Sequence, residues 1–208
     1  MAGYPICVQM SDRPCLVVGG GSVAERKAAG LLEAGARLTV VSPTVTRQID
    51  DWAREGRIRW IPRGYESSDL TGQSLAFVAT DDGSANADVA RDGRAAGVPI
   101  NAADDPAHCD FFLPAVLKRG DLTVAVSTGG ASPALSRAVR DELAAYLARE
   151  DYGALVGVAA DVRRALRDQG ARAPWERWRN ALGPELRSLV TAGRLEEARE
   201  RLREDLIA

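Results

Sequence analysis

Three glycines follow a short apolar run and precede a helical pattern, and this segment is the best candidate in the chain for binding an anion. Gly19, Gly21 and Ala24 have the spacing G-x-G-x-x-A. The first glycine of such a motif permits a tight turn, the second lets backbone approach a phosphate, and the small third residue lets helix and strand pack closely. Free N–H groups and the helix dipole then bind the phosphates. The motif predicts a dinucleotide site that includes Gly20, although a purely structural turn has the same glycines.

The elements on both sides of the turn favour the dinucleotide interpretation. Residues 15–18 have the pattern of a buried strand, residues 22–33 that of an amphipathic helix, and residues 37–41 that of a second strand. Together they form a βαβ unit of about thirty residues. The helix is predicted to begin at Ser22, so its N-terminal N–H groups and the positive end of its dipole follow the glycines directly and can hold an anion.

The second strand ends on hydroxyl residues instead of the acidic residue that usually binds the ribose of NAD. Ser42, Pro43 and Thr44 follow the strand. A hydroxyl can bond to the ribose, and without a carboxylate nothing repels the 2′-phosphate of NADP. The residues themselves therefore leave NAD and NADP open.

The alternation of strands and helices continues, and it predicts an α/β fold with a Rossmann-like, mostly parallel sheet. The further predicted elements are helices at 45–54 and 86–96 and strands at 57–61, 74–79 and 99–103. Because ligands of such sheets bind beyond the carboxyl ends of the strands, we expect the loops there to share one crevice. Thr80 and Asp81 lie in one of these loops, where they either approach the cofactor or cap the next helix.

Two carboxylates follow the last strand of this sheet and are candidates for proton transfer. Asp104 is placed to take a proton from a substrate beside the nicotinamide, whereas Asp105-Pro106 also has the composition of a simple turn. His108 is the only histidine of the chain and has no partner at metal-ligand spacing. We therefore predict no metal site and favour a solvent-facing loop position for His108.

A different pattern begins after residue 110 and predicts a small α+β segment. Apolar runs at 111–117 and 122–127 have the pattern of strands joined by a turn at 118–121, and a helix is predicted over 133–149. Ser127, Thr128 and Gly129 combine hydroxyls with flexible backbone, which suits an anion but also a simple chain reversal. Arg119 and Arg137 lie near this segment in sequence and are candidates to bind an acidic substrate.

The remainder of the chain has a helical pattern without strands, so three modules are predicted: a nucleotide domain over 1–113, a segment over 114–150 and a helical domain over 151–208. Two strands and one helix are too few to bury their own core. The middle segment is therefore expected to form a homodimer.

Composition limits the class of protein. The chain has 208 residues, of which 46% are hydrophobic and 27% charged, and its net charge is −2, which argues against a general nucleic-acid partner. The sequence shows no apolar run long enough to span a bilayer and no signal-peptide pattern, so no membrane partner and a cytoplasmic location are expected. Three widely spaced cysteines argue against a disulfide framework or a zinc site.

Several separated motifs occur in an order that resembles one family. They are Pro5-Ile6-Cys7, the glycine turn with Ser-Val-Ala-Glu-Arg-Lys-Ala after it, Leu32-Glu-Ala-Gly-Ala, Ala79-Thr-Asp-Asp, Asn101 with Asp104, Phe111 with Pro114, and Val124-Ala-Val-Ser-Thr-Gly-Gly-Ala-Ser-Pro. From about residue 5 to about residue 150 the chain resembles the N-terminal module family of siroheme synthase, the precorrin-2 dehydrogenase/sirohydrochlorin ferrochelatase module.

The resemblance implies an NAD-dependent enzyme that oxidises precorrin-2 to sirohydrochlorin and, in bifunctional members, inserts Fe²⁺ as a second substrate. It implies a Rossmann domain, a dimerisation segment and a helical C-terminal domain. It also implies NAD contacts at Ser22, Val23, Pro43 and Thr44 and an essential aspartate at Asp104. Two other interpretations are a nucleotide-binding regulatory module without catalysis and a dehydrogenase for another small acidic substrate.

Overall fold

The computed structural model describes residues 3–80, 82–103 and 105–207 of the chain. Its contacts divide the chain into two compact units, Met1–Phe112 and Leu113–Ala208. The division falls next to the first predicted boundary at residue 113. The segment and the helical domain that were predicted as separate modules lie together in the second unit.

The first unit is built on five parallel strands in the order β3-β2-β1-β4-β5. Val18 at the end of β1 is in register with Val41 of β2 on one side and with Val78 of β4 on the other. The order of the strands thus reverses at β1, and ligands of open α/β sheets bind at such a switch point. The strands are β1 (Pro14–Val18), β2 (Arg37–Val41), β3 (Ile58–Ile61), β4 (Leu75–Val78) and β5 (Ile100–Ala102).

Both faces of this sheet are buried, which explains why its strands are almost continuously apolar. Alternate residues of β1 enter different cores: Cys15 and Val17 pack in one, and Leu16 and Val18 in the other. Burial of one such side chain contributes roughly 1.5–3 kcal/mol, so the central strand is firmly held.

Three helices complete the first unit, and capping side chains decide where two of them begin. Thr46 accepts a hydrogen bond from Ile49 N at 3.4 Å, and Asp82 accepts bonds from Ser84 N and Ala85 N at 2.9 and 3.3 Å. The two helices therefore begin at Arg47 and Gly83, and the predicted starts at residues 45 and 86 were wrong. The helices are α1 (Ser22–Glu33), α2 (Arg47–Arg54) and α3 (Gly83–Ala96), with two short 3₁₀ turns at Ser67–Leu70 and Pro106–His108.

The second unit begins with an antiparallel hairpin of β6 (Ala115–Arg119) and β7 (Leu122–Val126), on which α4 (Pro133–Leu147) packs. The first strand was predicted from residue 111, but Phe111 belongs to the first unit, where its ring meets Phe77 edge-on at 5.4 Å. The hairpin turn has only two residues, Gly120 and Asp121, and Gly120 has a φ of +53°. Lys118 and Arg119, predicted in the turn, are strand residues.

Burial differs sharply within the second unit. No residue of the hairpin is buried, and Ser136 is the only buried residue of α4. The last four helices, in contrast, share a core centred on Leu186 and Leu202. They are α5 (Tyr152–Asp168), α6 (Trp175–Ala181), α7 (Pro184–Thr191) and α8 (Leu195–Ile207). Within the described residues, no helix is both long and apolar enough to cross a membrane.

Candidate functional site

The glycine turn at the end of β1 is closely surrounded by two neighbouring loops. Gly19 has a φ of +116°, and a Cβ atom there would overlap the carbonyl oxygen of Ala79 after β4. A Cβ atom on Gly20 would overlap the carbonyl oxygen of Thr44 after β2. The absence of side chains at both positions is therefore what lets the three strand-end loops meet, as the sequence predicted for the crevice.

Backbone hydrogen bonds fix this arrangement. Gly19 N donates to Val41 O at 2.9 Å, and Thr46 N donates to Gly20 O at 2.9 Å. On the other side of β1, Ala79 N donates to Val18 O at 2.8 Å. The turn is thus tied to the ends of both neighbouring strands.

Gly21 has a different environment from the two glycines before it. A Cβ atom built on Gly21 would meet no other atom within 4 Å, and the residue caps α1 without a side-chain hydrogen bond. The first N–H groups of a helix have no partners within the helix, and no capping side chain among the described residues supplies one. Ser22 and Val23 carry two of these groups. The open space and the free donors fit a pyrophosphate.

The loop after β2 divides its predicted contact residues into two kinds. Ser42 is only 8% exposed, and its hydroxyl donates to Thr44 O at 2.7 Å inside the loop. Pro43 and Thr44 are exposed. Pro43 and Thr44 are therefore accessible to a ligand, whereas the buried Ser42 holds the loop together through its hydroxyl.

The loop after β4 carries Thr80, and Asp81 lies outside the described residues. The hydroxyl of Thr80 accepts a hydrogen bond from Asp82 N at 3.1 Å, and Thr80 O accepts one from Asn86 Nδ2 at 3.5 Å. Capping of α3 falls to Asp82. The hydroxyl of Ser84 is the main reason why the pKa of the Asp82 carboxyl lies below its usual value.

The predicted catalytic residue, Asp104, lies outside the described residues, but the chain on both sides of it is well anchored. Ala103 N donates to Val78 O at 2.8 Å, next to the end of β4. After residue 104 the chain returns along β5, where the carboxylate of Asp110 accepts a bond from Ile100 N at 2.9 Å. Asn101 adds a side-chain bond to Phe111 O at 2.8 Å.

Two further side chains of this loop have defined partners. The Nδ1 of His108 lies 2.6 Å from Oδ2 of Asp105, and both side chains are about one-third exposed, at 33% and 32%. His108 is therefore paired rather than simply directed into solvent. The Cys109 thiol donates to Ala102 O at 3.1 Å, and burial raises its pKa. No group of three metal-binding side chains occurs among residues 3–80, 82–103 and 105–207.

The hydroxyl residues predicted to bind substrate in the second unit bond mainly to each other. Thr128 Oγ1 donates to Ser132 O at 3.0 Å, accepts from Ser132 N at 3.0 Å and lies 3.1 Å from the hydroxyl of Ser136. Ser127 Oγ accepts a bond from Gly129 N at 3.2 Å. These side chains hold the turn before α4, so an anion would meet the exposed backbone rather than the Thr128 hydroxyl.

The two predicted substrate arginines lie in different places. Arg137 is an exposed residue near the start of α4. Arg119 pairs with Leu122 at the turn end of the hairpin, whereas the segment after Val126 starts from the other end. Four residue steps along a strand correspond to roughly 14 Å. The second unit therefore does not bring Arg119 to Ser127 and Gly129; Arg119 instead lines a cavity of about 360 Å³ with residues that include Arg149, Asp151 and Thr191.

The glycine turn, the switch point and the open helix N-terminus define a dinucleotide-binding fold, and comparison with known families agrees. A family profile described as putative NAD(P)-binding matches residues 6–115, more than half of the chain. A second profile, described as sirohaem biosynthesis protein central, matches residues 119–146. The chain is thus an NAD(P)-binding protein.

Individual relatives narrow the family. The chain is 37% identical over 208 residues to the siroheme synthase of Methylobacillus flagellatus, covering 99% of this chain and 44% of the relative. It is 40% identical over 196 residues to that of Methylococcus capsulatus, covering 93% and 41%. It therefore spans less than half the length of these relatives. The solved structure of SirC, a precorrin-2 dehydrogenase, superposes with a TM-score of 0.73 at 26% identity, covering 97% of this chain and all of that one.

The chain belongs to the N-terminal module family of siroheme synthase, as its motifs predicted. The fold prediction is confirmed as well, because the parallel sheet, the small hairpin segment and the terminal helices match SirC. The matched profile and the open turn also support NAD as the cofactor.

Proposed function

We propose that this protein catalyses the NAD-dependent oxidation of precorrin-2 to sirohydrochlorin in siroheme biosynthesis. The observation that carries the proposal is the glycine turn, with open space at Gly21 and free N–H groups at the head of α1. The substrate follows from relatives named siroheme synthase and precorrin-2 dehydrogenase. The order of the two family profiles supports the same substrate, because the sirohaem biosynthesis segment at residues 119–146 follows the nucleotide-binding domain.

The reaction removes two hydrogens from the substrate, one as a hydride and one as a proton. Bound NAD⁺ supplies the hydride acceptor. We propose that Asp104 acts as the general base and accepts the proton. Support comes from its place in the chain, directly after Ala103, whose N–H is bonded to the end of β4 beside the glycine turn. The bonds of Asn101 and Asp110 anchor the described chain on the two sides of residue 104.

The remaining contacts are assigned by the chemistry of each loop. Backbone at Gly19, Gly20, Gly21, Ser22 and Val23 holds the pyrophosphate; Ser42, Pro43 and Thr44 form the ribose loop; Thr80 and Asp81 complete the cofactor side. The eight carboxylates of the tetrapyrrole call for cations and N–H donors. We assign this role to the exposed backbone of Ser127, Thr128 and Gly129 and to the guanidinium groups of Arg119 and Arg137. Because the carboxylates lie around the whole rim, the distance between Arg119 and the others is compatible with one ligand.

The middle segment supports a homodimer. Val116 on β6 and Leu135 and Tyr146 on α4 are 40%, 54% and 53% exposed, although all three are large and apolar. A hairpin and a helix with a single buried residue do not form an independent core. We propose that a second copy covers this surface. Light scattering should give twice the chain mass, and Leu135→Glu should shift the mass to that of one chain; a wild-type monomer at micromolar concentration contradicts the assignment.

Two further parts of the proposal concern Fe²⁺ and location. Insertion of Fe²⁺ into sirohydrochlorin releases two N–H protons from the macrocycle, and we propose that the carboxylate of Asp104 accepts them one after the other and passes them to solvent. We also propose a cytoplasmic location, which the free thiols Cys7, Cys15 and Cys109 support. Burial raises the pKa of Cys15 to about 11, so this thiol stays protonated and unreactive at neutral pH.

The test is Asp104→Asn, assayed without oxygen for both half-reactions and compared with Asp105→Asn. Removal of a general base lowers turnover by about 10²–10⁴-fold. We expect such a loss of precorrin-2 oxidation in Asp104→Asn with unchanged NAD affinity, and a much smaller loss in Asp105→Asn. The reverse ranking of the two variants would show that the base is wrongly assigned.

The wild-type protein separates the alternative functions. Tight NAD binding without precorrin-2 turnover would identify a regulatory module. Turnover of simple hydroxy acids without turnover of precorrin-2 would identify a different dehydrogenase. Addition of Fe²⁺ to sirohydrochlorin, followed through the tetrapyrrole spectrum, decides whether the chain also inserts the metal.

A further inference from the structure

An indole N–H supports the loop that follows β2. Trp60 of β3 donates from Nε1 to Ser42 O at 3.0 Å. The backbone N–H of Ser42 also bonds to β3, since Ser42 N donates to Ile61 O at 3.2 Å. The start of the loop is thus fixed to the end of β3 by one main-chain and one side-chain hydrogen bond.

This support extends to the glycine turn. The hydroxyl of Ser42 donates to Thr44 O at 2.7 Å, and that carbonyl lies against Gly20, where a Cβ atom would overlap it. Thr46 N closes the contact with a 2.9 Å bond to Gly20 O. A shift of Ser42 therefore displaces the exposed residue Thr44, which we propose contacts the ribose, relative to the turn.

We infer that Trp60 is a positioning residue for the adenosine half of the dinucleotide. Its indole N–H holds Ser42 O and thereby sets the position of Pro43 and Thr44, the exposed residues of the ribose loop. This inference rests on the proposed NAD binding and deepens it. No carboxylate follows β2 to bind the ribose directly, so the shape of the backbone loop has to provide the ribose contact.

Loss of the N–H has a clear physical consequence. Ser42 is 8% exposed, so its carbonyl has little access to water and an unpaired acceptor there is costly. The loop relieves that cost by moving Ser42 toward solvent, and it then has to return to the binding conformation when the dinucleotide arrives. Because binding then has to leave the Ser42 carbonyl unpaired again, we expect the affinity for the dinucleotide to fall by roughly five- to tenfold.

A purely structural role for Trp60 is the alternative, because its ring also packs against the core of the first unit. Trp52 provides the matched control. It belongs to the same core and is 8% exposed, and its ring contacts the Arg57 guanidinium at 5.8 Å. No hydrogen bond joins Trp52 to the ribose loop among the described residues. Trp52→Phe thus reports the effect of core packing alone.

The experiment compares Trp60→Phe with Trp52→Phe in direct binding measurements. We expect Trp60→Phe to raise the Kd for NAD and for ADP-ribose by about five- to tenfold, since both contain adenosine. Affinity for nicotinamide mononucleotide and kcat at saturating NAD⁺ should stay at the wild-type level. Trp52→Phe should lower the melting temperature without this selective loss.

Replacement of Trp60 by benzothienylalanine, an isosteric residue without the N–H, guards against misfolding of Trp60→Phe. The same selective loss is expected there. Wild-type affinity for NAD and ADP-ribose in both Trp60 variants would overturn the inference, and so would an equal loss for nicotinamide mononucleotide. Failure of the wild-type chain to bind NAD would overturn the proposed function itself, and this inference with it.

Discussion

Gly21→Ala is the substitution that most directly tests whether the pyrophosphate lies on the glycine turn. In the protein alone a methyl group at this position meets no other atom within 4 Å, and Gly21 has a φ of −80°, which alanine readily adopts. Gly21 is also the N-cap of α1, where alanine is somewhat less favourable than glycine. We therefore expect a loss of folding stability of at most about 1 kcal/mol.

The effect on the ligand should be much larger. A phosphate oxygen approaches a backbone N–H to about 2.9 Å, and a methyl carbon in that path holds it about half an ångström further away. The phosphate then loses about one charge-assisted hydrogen bond with the first N–H groups of α1, worth about 1.5–3 kcal/mol. The Kd for NAD should rise by about 10- to 100-fold.

Calorimetric titration with NAD and thermal unfolding should be carried out on three variants. Gly30→Ala on the exposed face of α1 is the control, since its methyl group also meets nothing within 4 Å; it should bind NAD normally and gain about 0.5–1 kcal/mol. Gly20→Ala should lose stability as well, because its methyl group overlaps Thr44 O. Wild-type NAD affinity in a folded Gly21→Ala protein would refute a pyrophosphate position over this turn.

Two other predictions concern stability. Burial alone would raise the pKa of Asp69, but bonds from Arg63 and from Glu66 N outweigh it and hold this pKa below its usual value. A carboxyl with a lowered pKa stabilises the fold at pH values above its unfolded pKa, and this contribution is lost as the pH falls through its folded pKa. Asp69→Asn should therefore reduce the free energy of unfolding by about 2 kcal/mol at pH 7. In urea titrations the variant should also lose less stability than the wild type below about pH 4. Leu202→Ala removes a fully buried side chain from the helical core and should lower the free energy of unfolding by about 2–5 kcal/mol in the same titrations. The Kd for NAD, measured on the folded variant, should stay unchanged. A parallel loss of NAD affinity would contradict independent cores.

Local pattern predicted most of the first unit correctly. The bounds of α1 and β2 match the prediction to the residue, because Gly21 and Gly35 delimit a regular apolar periodicity. The helix starts at 45 and 86 were displaced because Thr46 and Asp82 act as caps, and the prediction followed apolar spacing instead of capping side chains. The strand predicted from residue 111 failed for a tertiary reason, the contact of Phe111 with the first unit.

The site shows the same division between local and distant information. The glycine turn was predictable because its requirements lie within six residues. The bond from Trp60 of β3 to Ser42 in the loop after β2 joins residues 18 positions apart, and no sequence motif predicts it. We grouped Arg119 with Ser127 because they are close in sequence. The strand pairing, however, places Arg119 at the turn end of the hairpin, whereas Ser127 follows the opposite end.

The contact between Gly20 and Thr44 has a consequence for how the dinucleotide enters and leaves. Two strand-end loops that are already locked together in the free protein need little ordering when a ligand arrives. We therefore expect the oxidised and reduced cofactors to exchange without a lid movement on this side. The bonded amide hydrogens of Ser42 and Thr46 should exchange slowly with solvent even before the cofactor is added.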